Sequence, residues 1–401
     1  MEAVRKKQAL CIATVASMLD NFNRSNADIL LNMGYEVTLA ANFQSREDIN
    51  SQEKTDAFAK EMRAKGIHIV QVDFSRSIKN ASMHVKAVLQ VRKLLKRQFD
   101  LIHCHSPICA AMVRLQACTY RKKYGTKVYY TAHGFHFFKG APLRNWLVFY
   151  PAEKFLSRLT DVLITVNRED YRQAKERFHA GKTAYIPGVG IDLEKFCKIN
   201  PQKDAFRLSR IRQQLREDYG VQETDIILLS VGELNKNKNH ALAIRALAQL
   251  KDEPYFPRLK YLICGKGSRR DYLINLAGKL NLGQQVCLTG YRKDTADMYK
   301  LADVFLFLSK REGLPVSLME AMASGVPVIV TNVRGNTDLV RNGREGYVTG
   351  FEESEVAGRI KKAVEYKNEK MGIFAAERIR KFDQQKVNRK MRVLYGYDTY
   401  R

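Results

Sequence analysis

Glu312 and Glu320 stand eight positions apart in Glu312-Gly313-Leu314-Pro315-Val316-Ser317-Leu318-Met319-Glu320, just after an apolar run at Val304–Leu308. Gly313 and Pro315 prevent an immediate helix, and Pro315 suits the first turn of a helix that starts here. The amides of Leu314, Val316 and Ser317 are then unpaired at a helix N-terminus, a geometry that binds phosphate oxygens without a cation. Glu312, on the loop, can accept hydrogen bonds from sugar hydroxyls; Glu320, further along, can grip a ribose diol. Two glutamates alone would be a surface turn and an ordinary helical side chain. The buried strand before them and the Gly-Leu-Pro turn between them set this pair apart.

Other segments offer related chemistry. Ser230-Val231-Gly232-Glu233-Leu234-Asn235-Lys236-Asn237-Lys238-Asn239-His240 follows an apolar run and opens a helical pattern. A lysine there can neutralise a diphosphate leaving group as charge builds in the transition state. Read plainly, it is a solvated Lys-rich loop. Tyr130-Thr131-Ala132-His133-Gly134-Phe135-His136 begins at a strand end and supplies two histidines, a residue type that is more often structural than catalytic. Gly265-Lys266-Gly267 is a G-x-G turn after a strand, and Gly290-Tyr291-Arg292 follows another. The first loop, Ala16 to Arg24, brings polar Asp20, Asn23 and Arg24, and its lack of G-x-G-x-x-G speaks against a dinucleotide site.

The elements that must position these residues alternate. Strands are expected at Ala9–Val15, Tyr35–Ala41, Ile67–Val72, Leu101–His105, Lys127–Thr131, Val162–Val166 and Thr183–Ile186. Helical patterns fall at Asn23–Met33, Glu53–Lys65 and Ala81–Gln98. Pro187-Gly188-Val189-Gly190 breaks the pattern. After a charged helix at Pro201–Tyr219 the alternation restarts, with strands at Ile226–Val231, Leu259–Cys264, Val286–Thr289, Val304–Leu308 and Pro327–Thr331. Helices lie between them at His240–Leu250, Asp271–Leu280, Thr295–Leu301 and Val316–Met322. Short apolar strands alternating with helices predict parallel sheets covered on both faces. The expected organisation is an α/β domain at 1–190, a second at 191–375, and a basic C-terminal helix at 376–401 that packs back on the first. Ligands of such sheets bind at the carboxyl ends of the strands, so a cleft between the two domains is the expected site.

The 401 residues carry 68 Lys+Arg against 42 Asp+Glu, a formal net charge of +26, which favours anionic partners. Nucleic acid is not expected among them: no helix-turn-helix, finger or RNP-like segment is present. An anionic membrane surface is a candidate partner. Pro142 to Leu159 mixes Trp146, Leu147, Val148, Phe149, Tyr150 and Phe155 with Arg144, Lys154 and Arg158, a composition that can lie on a bilayer; a core helix with a charged outer face is the simpler reading. Seven cysteines at irregular spacing, several in apolar runs, read as buried thiols of a reducing compartment. Cys104 and Cys109 beside His103 and His105 match no zinc spacing, so no metal site is expected. The short charged N-terminus does not read as a signal peptide, and without a long apolar stretch no membrane-spanning helix is expected. The expected location is cytoplasmic, peripheral at the inner membrane face if the basic surface is used.

With these residues in view, the chain resembles glycosyltransferase family 4 over nearly its whole length, most closely enzymes of bacterial capsule and exopolysaccharide assembly. Glu312 to Glu320 resembles the E-x7-E motif of retaining GT-B glycosyltransferases. The resemblance implies a GT-B fold of two Rossmann-like domains. It places Glu312 on the donor sugar, Glu320 on the nucleotide ribose, and the backbone of Gly313, Leu314, Val316 and Ser317 on the diphosphate. It gives Lys238 and His133 catalytic roles, His133 facing the donor sugar from the N-terminal domain, and sets Gly232, Gly265, Gly267 and Tyr291 around the nucleotide. Asp20, Asn23, Arg24 and His136 fall on the acceptor side. One departure stands out: Glu233 occupies the place of an expected arginine, and Lys236 or Arg24 are the substitutes for that cation.

The implied reaction is retaining transfer of a hexose or N-acetylhexosamine from a nucleotide sugar, expected to be UDP-linked, to a glycan acceptor on polyprenyl diphosphate. No Asp-x-Asp pair exists to hold a divalent ion, so no cofactor beyond the nucleotide sugar is expected. A non-hydrolysing UDP-sugar epimerase of GT-B-like architecture is the alternative.

Overall fold

The structure, a computed structural model, describes residues 5–45, 48, 50–77, 80–196, 201–366 and 369–396. The chain forms two compact units, one of Met1–Val189 with Gln385–Arg401, the other Gly190–Gln384. The first crossing falls at the Pro-Gly-Val-Gly break. The return comes at Gln385 rather than at 376, so residues 376–384 belong to the second unit.

The first unit contains strands β1 (Gln8–Val15), β2 (Glu36–Asn42), β3 (His68–Gln71), β4 (Leu101–His105), β5 (Lys127–Ala132), β6 (Val162–Thr165) and β7 (Lys182–Tyr185). They form one parallel sheet in the order β3-β2-β1-β4-β5-β6-β7. Its helices are α1 (Ala16–Phe22), α2 (Arg24–Asn32), α3 (Gln52–Ala64), α4 (Ala81–Leu95), α5 (Pro107–Tyr124), α6 (Leu143–Ser157) and α7 (Arg168–Arg177). Two separate apolar clusters cover the two faces of this sheet. That is why β1 reads Ala-Leu-Cys-Ile-Ala without alternation: both of its faces are buried. Local chemistry sets the helix ends. The Ser51 hydroxyl accepts from Lys54 N at 3.3 Å to start α3, and Asn167 accepts from Asp170 N at 2.8 Å to start α7.

The second unit contains α8 (Leu193–Phe196), α9 (Pro201–Tyr219), β8 (Ile226–Val231), α10 (His240–Ala248), β9 (Leu259–Cys264), α11 (Arg270–Lys279), β10 (Val286–Gly290) and α12 (Thr295–Leu301). It continues with β11 (Val304–Phe307), α13 (Val316–Ala323), β12 (Val328–Thr331), α14 (Asn336–Leu339), β13 (Gly346–Thr349), α15 (Glu353–Tyr366) and α16 (Glu369–Ile379). The sheet is again parallel, in the order β10-β9-β8-β11-β12-β13, with an apolar cluster on each face. α17 (Gln384–Tyr395) is the returning helix; Val387, Met391, Leu394 and Tyr395 are buried in the first unit's core.

Several expectations are corrected. The first loop is helical from Ala16 to Phe22 and breaks only at Asn23. The C-terminal helical stretch is two helices, α16 and α17, separated at Arg380–Asp383. α6 does pack Trp146, Phe149 and Tyr150 inward, and its outer face is not charged alone: Leu147, 68% exposed, and Phe155, 55% exposed, stand there with exposed Arg144. Among the described residues no helix is long and apolar enough to cross a membrane, and the described cysteines are free thiols. Cys197 lies outside the described residues.

Candidate functional site

In an open parallel sheet, a crevice forms where adjacent strands send their connections in opposite directions. In the second unit that point lies between β8 and β11. The loops leaving these two strands carry Lys238 and Glu312. Lys238 Nζ donates to Glu312 Oε1 at 2.8 Å, with both side chains largely buried, and sits 4.6 Å over the Phe307 ring. The two loops are knitted together by asparagines. Asn237 Nδ2 donates to the Arg311 carbonyl at 3.0 Å, Lys310 N donates to the Asn237 carbonyl at 2.8 Å, and Asn239 Nδ2 reaches the Leu308 carbonyl at 3.3 Å. Asn235 Oδ1 accepts from Lys238 N at 2.9 Å. Asn239 itself has a φ of 57°, a left-handed conformation that asparagine adopts more readily than other non-glycine residues.

The loop after β9 closes the other side. Gly232 N donates to Cys264 O at 2.9 Å, Leu234 N to Lys266 O at 2.9 Å, and Gly265 N to Gly290 O at 2.7 Å. A Cβ at Gly265 would overlap the Gly232 carbonyl oxygen, and one at Gly267 would overlap the Leu234 backbone. The G-x-G turn is therefore required by close backbone approach. These contacts tie Gly232, Gly265, Gly267 and Gly290 into one group of turns, in which Gly232 lies beside the Lys238 side chain. Tyr291 is 56% exposed and Glu233 and Lys236 are also exposed, so none of the three is part of the packing.

Glu312 leads through Gly313 and Leu314 to α13, which Pro315 precedes in extended conformation. Its first backbone bond runs from Met319 N to Pro315 O, so the amides of Val316, Ser317 and Leu318 come before any helical acceptor. Gly335, with a φ of 81°, packs against the Gly313 carbonyl, where a Cβ would overlap. Glu320 lies on the same helix. Its Oε2 accepts from the Tyr299 hydroxyl at 2.9 Å, and burial pushes its carboxyl above the usual range against the pull of Tyr299 and Lys195. At the start of α10, burial holds His240 down to about 4, with Nδ1 3.5 Å from the Tyr261 hydroxyl.

In the first unit the corresponding switch point lies between β1 and β4. Asp20, Asn23 and Arg24 sit just past β1. Asp20 is buried and accepts from Arg24 Nε at 2.7 Å and Asn50 Nδ2 at 3.0 Å; Arg24 Nη1 also donates to Glu61 at 2.6 Å. Asn23 Nδ2 is spent on the Met18 carbonyl at 3.0 Å, pinning the break between α1 and α2. Arg24 thus serves two carboxylates of its own unit, which disfavours it as a spare phosphate cation. His133 follows β5, partly buried, 5.2 Å from the Phe22 ring centroid. Its loop is held by α7, where the Asp170 carboxylate accepts from Phe135 N at 2.9 Å. His136 stacks on Phe149 at 4.7 Å, away from the His133 ring's contacts.

Residues that the sequence motifs do not single out complete these arrangements. Tyr299 and Phe307 support Glu320 and Lys238, Gly335 backs the Gly313 turn, and His103, His105 and Tyr395 line up behind His133. Tyr299 and Gly335 give no local signal, because their partners lie 21 and 22 residues away in the chain. Among the described residues no group of three His, Cys, Asp or Glu could hold a metal ion.

The arrangement presents an ammonium, a carboxylate and bare helix amides at one switch point, suited to a ligand with phosphates and hydroxyls. Two family models match the chain: Glycosyltransferase Family 4 over residues 25–195 and Glycosyl transferases group 1 over residues 211–378. EpsD of Bacillus subtilis (strain 168), a glycosyltransferase by name, is 36% identical over 358 residues, covering 88% of this chain and 86% of that protein. The UDP-Gal:alpha-D-GlcNAc-diphosphoundecaprenol alpha-1,3-galactosyltransferase of Escherichia coli is 29% identical, covering 66% of each chain. Among solved structures, HepE of Anabaena, in complex with UDP and glucose, superposes with a TM-score of 0.72 at 18% identity, covering 98% of this chain and all of the other. Two parallel α/β units, these matches and this site together make the chain a glycosyltransferase of family 4 with the GT-B fold.

Proposed function

We propose that the chain transfers a hexose or N-acetylhexosamine, with retention, from a UDP-sugar to a glycan on polyprenyl diphosphate in surface polysaccharide assembly, as of capsule or exopolysaccharide. The observation that carries this is the Lys238–Glu312 pair beside the N-terminus of α13 at the β8/β11 switch point. Lys238 and the amides of α13 meet the diphosphate charge, so the reaction needs no divalent ion; the chain also lacks an Asp-x-Asp pair. Glu312 takes the donor-sugar hydroxyls and Glu320 the ribose. The E. coli relative's UDP-Gal donor and diphosphoundecaprenol acceptor, and the UDP bound to HepE, support the choice of substrates.

The acceptor hydroxyl attacks the anomeric carbon from the face that the leaving diphosphate occupies. The new C–O bond forms as the bond to phosphate breaks, the electron pair leaves with UDP, and the hydroxyl proton passes to a phosphate oxygen. The enzyme works at the cytoplasmic face of the membrane. α4, α5 and α6 pack side by side in the first unit. Their outer surface exposes Leu89, Leu147 and Phe155 with Arg92, Arg144 and Arg158. From Ala81 to Ser157 the only carboxylates are Asp100, which Arg5 engages, and Glu153, buried on Arg114. Apolar side chains among uncompensated cations suit an anionic bilayer.

Purified protein is incubated with UDP-sugars, GDP-mannose and a polyprenyl-diphosphate glycan, and products are separated by chromatography. Acceptor-dependent release of UDP supports the assignment. Consumption of the UDP-sugar without acceptor would instead reveal an epimerase, and turnover of GDP-mannose alone would overturn the choice of nucleotide.

A further inference from the structure

His103 and His105 are alternate residues of β4, so both side chains lie on one face of the sheet at the carboxyl end of the strand. Their ring centroids are 4.1 Å apart. His103 is fully committed, with Nδ1 2.7 Å from the Tyr395 hydroxyl and Nε2 2.8 Å from Thr131 Oγ1. Tyr395 reaches it from α17, which is further tied down by the Tyr129 hydroxyl donating to Leu394 O at 2.9 Å. His105, almost wholly buried, has Nδ1 3.2 Å from His133 Nε2, and its own Nε2 has no partner. Ser106, the next residue, holds a φ of 69°. No second partner is seen for the His133 ring nitrogens among the described residues, so His105 is what orients this ring.

We propose that His105 is a positioning residue that donates from Nδ1 to His133 Nε2, fixing His133 as the Nδ1–H tautomer and turning its Nδ1 into a hydrogen-bond donor toward the bound substrate. Both rings are neutral: burial holds His133 down to about 4 and His105 well below its ordinary value. A neutral imidazole has one N–H and one lone pair, so one ring must donate to the other. If His133 donated through Nε2, the proton of His105 would sit on its Nε2, a buried N–H with no acceptor. If His105 donates, the unpartnered atom is a lone pair instead. Orphaned buried N–H groups are the rarer defect. A His133 that carries its proton on Nδ1 has no lone pair to offer there and cannot act as a base through that atom. It can donate to a hydroxyl or phosphate oxygen.

This inference rests on His133 facing substrate, as under the proposed function, but the tautomer is read without any turnover. Ring-15N histidine is incorporated, and long-range 15N–1H correlations are recorded at pH 7.5, with His133→Gln and His105→Asn identifying the signals. The expected result is protonated Nδ1 and bare Nε2 on both His105 and His133. A His133 protonated on Nε2 overturns the proposal. In transfer assays, His105→Phe should lower kcat about tenfold with little change in the Kd of UDP, while His105→Asn, which keeps an N–H donor, should recover most of the rate. Equal rates for the two variants would also overturn it. A wild-type rate for His133→Gln would remove the role of His133 in catalysis while the spectrum still decides the tautomer.

Discussion

The proposed ribose contact at Glu320 can be isolated by taking the hydroxyls off the nucleotide. Glu320 Oε2 already accepts from the Tyr299 hydroxyl at 2.9 Å, which fixes the carboxylate and leaves Oε1 for a ligand. A hydrogen bond to a charged group contributes about 1.5–3 kcal/mol, or roughly 10- to 150-fold in affinity. Calorimetric titration of UDP and 2′,3′-dideoxy-UDP at pH 8 should therefore show the dideoxy nucleotide binding at least ~10-fold more weakly to the wild type. In Glu320→Gln, UDP should weaken by a similar factor and the difference between the nucleotides should shrink, since the partner of the lost hydroxyls is gone. Tyr299→Phe should keep most of the discrimination, because the carboxylate remains. Burial raises the Glu320 carboxyl, so the contact is present above that raised value and fades as pH falls through it, earlier than an ordinary carboxylate would allow. Equal affinity of the wild type for the two nucleotides, or undiminished discrimination in Glu320→Gln, refutes the contact.

Acid should loosen the first unit. Burial holds His103 down to about 3 and His133 to about 4, below the unfolded value of 6.5, so their neutral forms favour the fold fully above 6.5 and this is lost as pH falls toward the folded values. At pH 5.5 the two together cost about 3 kcal/mol, and His105 acts in the same direction. Trp146, the only tryptophan, lies in this unit, so its fluorescence in urea should show a lower midpoint at pH 5.5 than at 7.5; an unchanged midpoint counts against buried neutral histidines. On the outer surface, Leu147→Gln with Phe155→Gln should weaken binding to phosphatidylglycerol vesicles at least ~10-fold, and salt should weaken the wild type as well, while phosphatidylcholine vesicles bind neither protein. Binding indifferent to both changes would remove α6 from the membrane surface.

The alternation of short apolar strands with helices makes both sheets legible except for the edge strand β13, whose Gly-Tyr-Val-Thr is no apolar run; a strand buried on two faces needs one. α1 escaped because Ala16–Phe22 starts without a side-chain cap and its small residues resemble a loop. α5 gives no helical signal: its buried residues are small, Cys109, Ala110 and Ala117 among them, and include Arg114, so no apolar stripe marks the helix. In the second unit the candidate site is readable because Gly265, Gly267, Pro315, Lys238 and Glu312 all lie on the loops after the strands that carry it. Behind the histidines it is not. His105 meets His133 across 28 residues, and His103 meets Tyr395 across 292, distances over which only the folded sheet brings side chains together.

The proposed grip of Lys238 on the departing diphosphate is measured most directly by single-turnover transfer in EDTA. Wild type should transfer at its full rate without metal, and Lys238→Ala should lose roughly 10²–10³-fold in the chemical step while still binding UDP. A wild-type rate in Lys238→Ala combined with Glu312→Gln, or a rate abolished by EDTA alone, contradicts this chemistry.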